Sequence, residues 1–210
     1  MNTELAIELS GVSQSYSHFE LSDLNLKLEP GRMMGFIGPN GAGKSLTMRI
    51  IMGLVLAEQG NVRVLGHQMP KEQVAAKWDI GFASEDMRLY KNGTVQWHID
   101  FVKSIYSNWD DAYAATLAKR FDIKLSQKLK GLSHGQRVKA GLLLVLARRP
   151  NLLLLDEPTT GLDPVARREV LIELMEVLQD GDRSVLFSSH NTKDVEQLSD
   201  EITFIDKGHI

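Results

Sequence analysis

Gly38-Pro39-Asn40-Gly41-Ala42-Gly43-Lys44-Ser45 has the form G-x-x-x-x-G-K-[ST]. Its glycines let consecutive backbone N–H groups curl around a phosphate chain, while Lys44 brings a positive charge and Ser45 a hydroxyl suited to magnesium. The flanks fit that reading. Residues 33–37, with Gly35 just before the loop, read as a short buried strand entering it. Residues 46–52 read as a helix leaving it, with the positive end of its dipole toward the phosphates. A glycine-rich turn that merely joined strand to helix would not require Lys44 and Ser45 side by side.

Two stretches downstream add to this. Leu152-Leu153-Leu154-Leu155-Asp156-Glu157 is an apolar run ending in two carboxylates, the pattern of a buried parallel strand that delivers acids to its carboxyl end. Alone it would be an ordinary core strand. Pro158 and Gly161 close it with turn residues, and Asp163-Pro164 opens a helix with aspartate as N-cap and proline at the first helical position. Leu132-Ser133-His134-Gly135-Gln136, about twenty residues upstream of that strand, is by itself a loop leading into a helix that Ser133 caps.

Composition sets the bounds. At 210 residues the chain holds one sizeable core, or a core with a small lobe. Hydrophobic content of 43% and charged content of 24% match an ordinary globular protein. The absence of cysteine excludes disulfides and thiolate metal sites, and the longest apolar stretches fall far short of a membrane span. No basic start followed by an apolar segment marks a signal peptide. A net charge of −3 offers no electrostatic case for nucleic acid as a partner. The pairs Arg148-Arg149 and Arg167-Arg168 read as solvated helix ends.

Along the chain, 4–9 and 24–28 are β-like, the second with the alternation of a half-buried strand. Further strands are expected at 62–64, 80–82, 184–188 and 201–206. Helical periodicity runs over 95–118, and helices follow Gly135, Pro164 and Thr192. Alternating strands and helices indicate a largely parallel sheet with helices around it. The helical stretch 85–149 reads as a subdomain inserted into an α/β core, with no internal repeat or long linker.

Taken together, and in this order, the three quoted stretches resemble the nucleotide-binding subunit of an ABC transporter. The resemblance covers nearly the whole chain. It implies an α/β fold: a P-loop NTPase core, RecA-like and ABC-type, with an N-terminal antiparallel β region and the inserted helical subdomain. Residues 1–210 would form one ATPase domain, with 1–84 and 150–210 as core and 85–149 as helical lobe. It implies ATP and Mg²⁺ as ligands. The phosphates would lie on Gly38, Pro39, Asn40, Gly41, Ala42, Gly43, Lys44, Ser45 and Leu46, with Tyr16 stacked on adenine. Ser45, Asp156 and Glu85 would serve the metal, and Glu157, His190 and Lys44 the chemistry. Glu157 would orient and deprotonate the attacking water, with His190 fixing its geometry against the γ-phosphate.

In this family two subunits face head to tail, so Ser133, Gly135 and Gln136 would reach the γ-phosphate bound by a partner, which could be a second copy or a different ATPase chain. Gly161-Leu162-Asp163 matches the loop that crosses between subunits. A separate permease in the membrane would receive the work, near residues 85–90, placing the chain peripherally on the cytoplasmic face. Leu89-Tyr90 and the stretch 104–110, with Tyr106 shortly before Trp109, resemble bacterial exporter-type subunits; simple helix packing would equally account for both aromatics.

Two residues depart from the family pattern. His134 stands where glycine is usual, either pointing to solvent or tuning closure. Glu85 stands where glutamine is usual, adding charge beside the metal. Three other readings remain at this level: an ABC ATPase that never meets a membrane, a P-loop kinase, and a regulatory nucleotide-binding module with little turnover. The first usually carries two cassettes or a long coiled coil; the second gives residues 132–136 and Glu157 no role; the third has only His134 in its favour.

Overall fold

The computed structural model describes residues 4–84, 87–179 and 183–210. Among the described residues, nine strands form two sheets. The first is antiparallel: β1 (Ile7–Tyr16), β2 (Phe19–Leu28), β4 (Gln59–Val64) and β5 (His67–Met69), in the order β2-β1-β4-β5. The second is parallel: β3 (Met33–Ile37), β6 (Ile80–Ser84), β7 (Leu152–Asp156), β8 (Ser184–Ser189) and β9 (Glu201–Phe204), in the order β6-β7-β8-β3-β9.

The two sheets read differently in sequence because their surroundings differ. Every residue of β3, β7 and β8 is buried, so the apolar run is continuous. Side chains still alternate across the strand. Leu152, Leu154 and Leu186 enter a core shared with Ile7, Leu24, Leu28 and Phe36, whereas Leu153, Leu155 and Phe187 enter one shared with Leu143, Val170 and Leu174. Strand β2 buries only one face, which holds Leu24, Leu26 and Leu28.

Seven α-helices among the described residues surround the sheets: α1 (Lys44–Ile51), α2 (Gln73–Trp78), α3 (Val95–Ile105), α4 (Asp111–Arg120), α5 (His134–Leu146), α6 (Pro164–Gln179) and α7 (Thr192–Leu198). The helical stretch 95–118 divides in two. Tyr106 ends α3, and Asp110 starts α4 by accepting a hydrogen bond from the Tyr113 N–H at 2.8 Å. Asp163 caps α6 as expected, accepting from the N–H groups of Val165 and Ala166. Strand β5 and helix α2 carry too short a period to be seen beforehand.

Three of the four paired arginines find partners on the packed surface, whereas Arg168 is exposed, as expected. Arg148 is buried, its guanidinium 3.4 Å from the Tyr106 ring centroid, and it donates to the carbonyls of Lys77 and Trp78. Arg149 lies over Tyr113 and pairs with Asp110 at 3.0 Å, and Arg167 pairs with buried Asp194 at 2.6 Å. Each long side chain lays its stem on the packed surface and finds a partner for its head, a placement that charge alone does not reveal. Tyr106 meets Trp78 edge-on at 5.3 Å, so packing accounts for it.

Candidate functional site

The site forms where β3, β7 and β8 end on one side of the parallel sheet. Between β3 and α1 the loop 38–45 turns on Gly41 and Gly43, whose φ values of 81° and 115° suit glycine. At Gly43 a β-carbon would also stand 2.5 Å from Leu21 Cδ2 and 3.0 Å from Phe19 Cζ. Strand β2 thus packs directly on the loop. The same hairpin carries Tyr16, paired with Phe19 in register and 52% exposed, which leaves its ring face free for a planar ligand.

Lys44, 5% exposed, donates from Nζ to the carbonyls of Gly38 (2.7 Å) and Pro39 (3.3 Å) and lies 3.2 Å from Glu157 Oε1. The latter is an ion pair without hydrogen-bond alignment, so buried Oε1 accepts no hydrogen bond among the described residues. Glu157 Oε2 is better supplied. It accepts from Thr160 Oγ1 at 2.8 Å and from His190 Nδ1 at 2.8 Å. Burial alone would push this carboxyl up; the contacts with Thr160, His190 and Lys44 outweigh burial and hold it below the usual carboxylate range. Glu157 therefore stands ionised, with one oxygen atom aimed at Lys44 and open to a further donor.

The backbone of Glu157 sits at φ 53°, a left-handed conformation that a side-chain-bearing residue adopts at a cost of about 1 kcal/mol or more. Ser188 at the end of β8 braces it. The Ser188 hydroxyl donates to Asp156 Oδ1 at 2.7 Å and accepts from the Glu157 N–H at 3.0 Å. Asp156 is buried at the strand end, and its second oxygen makes no hydrogen bond among the described residues. With the Ser45 hydroxyl it offers hard oxygen donors of the kind Mg²⁺ takes alongside phosphate oxygens. No cluster of three acidic or histidine ligands occurs among the described residues. Glu85 lies outside the described residues.

The 132–136 segment stands apart from this centre. No hydrogen bond or ion pair among the described residues joins Ser133, Gly135 or Gln136 to the 38–45 loop. Ser133 and Gln136 instead close a reciprocal cap on α5: Ser133 Oγ accepts from the Gln136 N–H at 3.2 Å, and Gln136 Oε1 from the Ser133 N–H at 3.0 Å. The cap fixes the first turn of α5. His134 and Glu157 border one cleft of about 730 Å³, with Arg88, Lys91, Lys130 and Arg137 around it.

Sequence reading brought Lys44, Asp156, Glu157 and His190 together but missed Thr160 and Ser188. Their only signal is position: hydroxyl residues just after the acidic pair and at the end of the neighbouring strand.

Comparison with known proteins places this geometry. The family described as ABC transporter matches residues 21–160. The ABC transporter ATP-binding protein YtrB of Bacillus subtilis is 32% identical over 201 residues, covering 95% of this chain and 68% of that protein. The Nod factor export ATP-binding protein I of Rhizobium johnstonii is 33% identical over 211 residues, covering 97% of this chain and 67% of that one. Among the relatives it matches, the chain spans from 61% to 69% of their length. A solved ATP-binding subunit of an ABC transporter superposes with a TM-score of 0.88 at 25% identity, over 99% of this chain and 88% of that chain. The ATP-binding cassette MJ0796, solved as a dimer in a post-hydrolysis state with ADP and Pi, shares the fold at a TM-score of 0.86 and 21% identity, over 97% of this chain and 96% of that chain.

Proposed function

The chain belongs to the ABC transporter family and carries its ATP-binding ATPase domain, and on that premise we propose that it hydrolyses ATP as a dimer to drive a separate membrane permease, in an exporter. The observation carrying the chemistry is the convergence of Lys44, Thr160 and His190 on the Glu157 carboxylate beside the phosphate loop. The exporter reading is supported by the likeness to the Nod factor export protein, and the dimer by the separation of 132–136 from the loop within one subunit.

Phosphate binding would turn the Lys44 ammonium from the Glu157 carboxylate toward the more highly charged phosphate oxygens. The carboxylate then loses its cation and becomes a stronger base toward a water in line with the γ-phosphate. Glu157 takes the proton of that water, its oxygen attacks phosphorus, and the bond to the ADP oxygen breaks, giving ADP and phosphate. His190, donating from Nδ1, holds the carboxylate in place, leaving Nε2 for the γ-phosphate side. Mg²⁺, held through Ser45 and Asp156, would neutralise charge on the β- and γ-phosphate oxygens. Residues 85–90 would be the docking region for the permease. No described helix is long and apolar enough to cross a membrane; as the ATP-hydrolysing partner of a separate permease, the chain would sit peripherally on the cytoplasmic face.

The solution mass of Glu157→Gln, with and without ATP, tests this. ATP should convert monomer to dimer and leave the nucleotide unhydrolysed, because a positioned base supplies about 10²–10⁴-fold. Turnover at the parent rate would remove Glu157 from the role. A monomer with ATP bound would make closure depend on the permease or on a different ATPase chain.

A further inference from the structure

His134 occupies a position where the family pattern has glycine, and the structure gives its side chain a specific seat. Its Nε2 lies 3.2 Å from the Thr160 carbonyl oxygen. A carbonyl only accepts, so Nε2 carries the hydrogen in this contact. The ring rests against Gly161, whose φ is 70°; a β-carbon there would stand 3.1 Å from Nε2 and 3.4 Å from Cδ2. A side chain at residue 161 would therefore crowd the ring. Beside it, Gly135 packs on Leu162 and Ala166, so the first turn of α5 lies along the loop leading into α6.

The residue His134 holds is the one that holds the base. Thr160 donates its hydroxyl to Glu157 Oε2 at 2.8 Å and its N–H to the Glu157 carbonyl at 3.1 Å. The turn 157–160 is thus anchored on one side by Ser188 through the Glu157 N–H, and on the other by His134 through the Thr160 carbonyl. A strained residue such as Glu157, at positive φ, keeps its conformation only when its surroundings over-determine it.

We infer that His134 is a positioning residue for hydrolysis: by fixing the Thr160 carbonyl it keeps the Thr160 hydroxyl on Glu157 and so sets the direction in which the carboxylate meets the nucleophilic water. This rests on the role assigned to Glu157 above. It also makes the start of α5, which meets the neighbouring subunit's nucleotide, mechanically continuous with the base of its own subunit.

Steady-state ATPase measurements on His134→Ala, His134→Gln, Thr160→Val and the double variant His134→Ala/Thr160→Val test the relay. His134→Ala removes one solvent-exposed neutral hydrogen bond, so kcat should fall about fivefold with KM unchanged. Glutamine places an amide N–H near the position of Nε2, so His134→Gln should lie within about twofold of the parent. In the Thr160→Val background the route to Glu157 is already cut, and the alanine substitution should add nothing. Parental kcat in His134→Ala, a glutamine variant as slow as alanine, losses that multiply in the double variant, or an effect confined to KM would each overturn the inference. Glu157→Gln measured alongside separates the two readings. If it is inactive while His134→Ala is unaffected, only the relay fails; if it turns over normally, the base assignment fails first.

Discussion

Replacing Glu157 by glutamine should lower the stability of the nucleotide-free protein and raise the stabilisation that ATP confers. In the free protein Lys44 is 5% exposed and its charge is balanced by Glu157 at 3.2 Å. Glutamine keeps an oxygen for Thr160 and His190 but places a neutral amide NH₂, itself a donor, toward the ammonium. Breaking a buried ion pair by removing one partner costs about 3–5 kcal/mol. Here the carbonyls of Gly38 and Pro39 still solvate Lys44, so a loss of about 2 kcal/mol is the reasonable figure. For a chain of this size that lowers Tm by about 4–8 °C. With ATP bound, Lys44 faces phosphate in both proteins and the penalty disappears. The ATP-induced rise in Tm should therefore exceed the parent's by the same 4–8 °C or so. Differential scanning calorimetry with and without ATP and EDTA, which prevents turnover in the parent, reads both quantities. A free Glu157→Gln protein as stable as the parent would refute the argument, because the Lys44–Glu157 pair would then contribute nothing.

The same carboxylate gives a pH dependence. Its pKa is held below the ordinary 4.5, so its contribution is fully present above that value and is lost as pH falls through the folded value. Urea melts of the parent and Glu157→Gln should accordingly differ at pH 7 and draw together as the carboxylate is protonated in acid; a gap that does not narrow at all on acidification contradicts the assignment. At the lobe junction, Arg148→Ala removes a buried guanidinium stacked on Tyr106 and two donors to backbone carbonyls, with an expected loss of about 2–3 kcal/mol in chemical denaturation. Arg148→Lys should recover little of it, since an ammonium lacks the planar face and the fork. Ser133→Ala opens the reciprocal cap on α5 and should cost about 1 kcal/mol, read in the same denaturation series.

The phosphate loop, the acid-tipped strand and the chain order of every strand but β5 were legible in the chain itself. The reason is local: a phosphate cradle needs glycines at fixed offsets from a lysine, and a strand buried on both faces needs an unbroken apolar run. Residues 33–37 and 152–156 therefore announce themselves, and Asp163 and Ser133 do so as helix caps because a cap bonds to residues two or three positions away. Side-chain partners separated by long stretches of chain left no such mark. His190 meets Glu157 only because β7 and β8 are adjacent and parallel, and Ser188 can brace the acidic pair only at that register; Thr160 reaches the same carboxylate within its own turn. Arg148 found its place over Tyr106 through the packing of α3 and α5, and His134 found the Thr160 carbonyl because Gly161 leaves room. Sequence determined which chemistry the chain can hold, through short-range rules of backbone and burial; tertiary structure alone decided which distant polar groups aim that chemistry, because hydrogen bonds act over about 3 Å and only folding brings such groups that close.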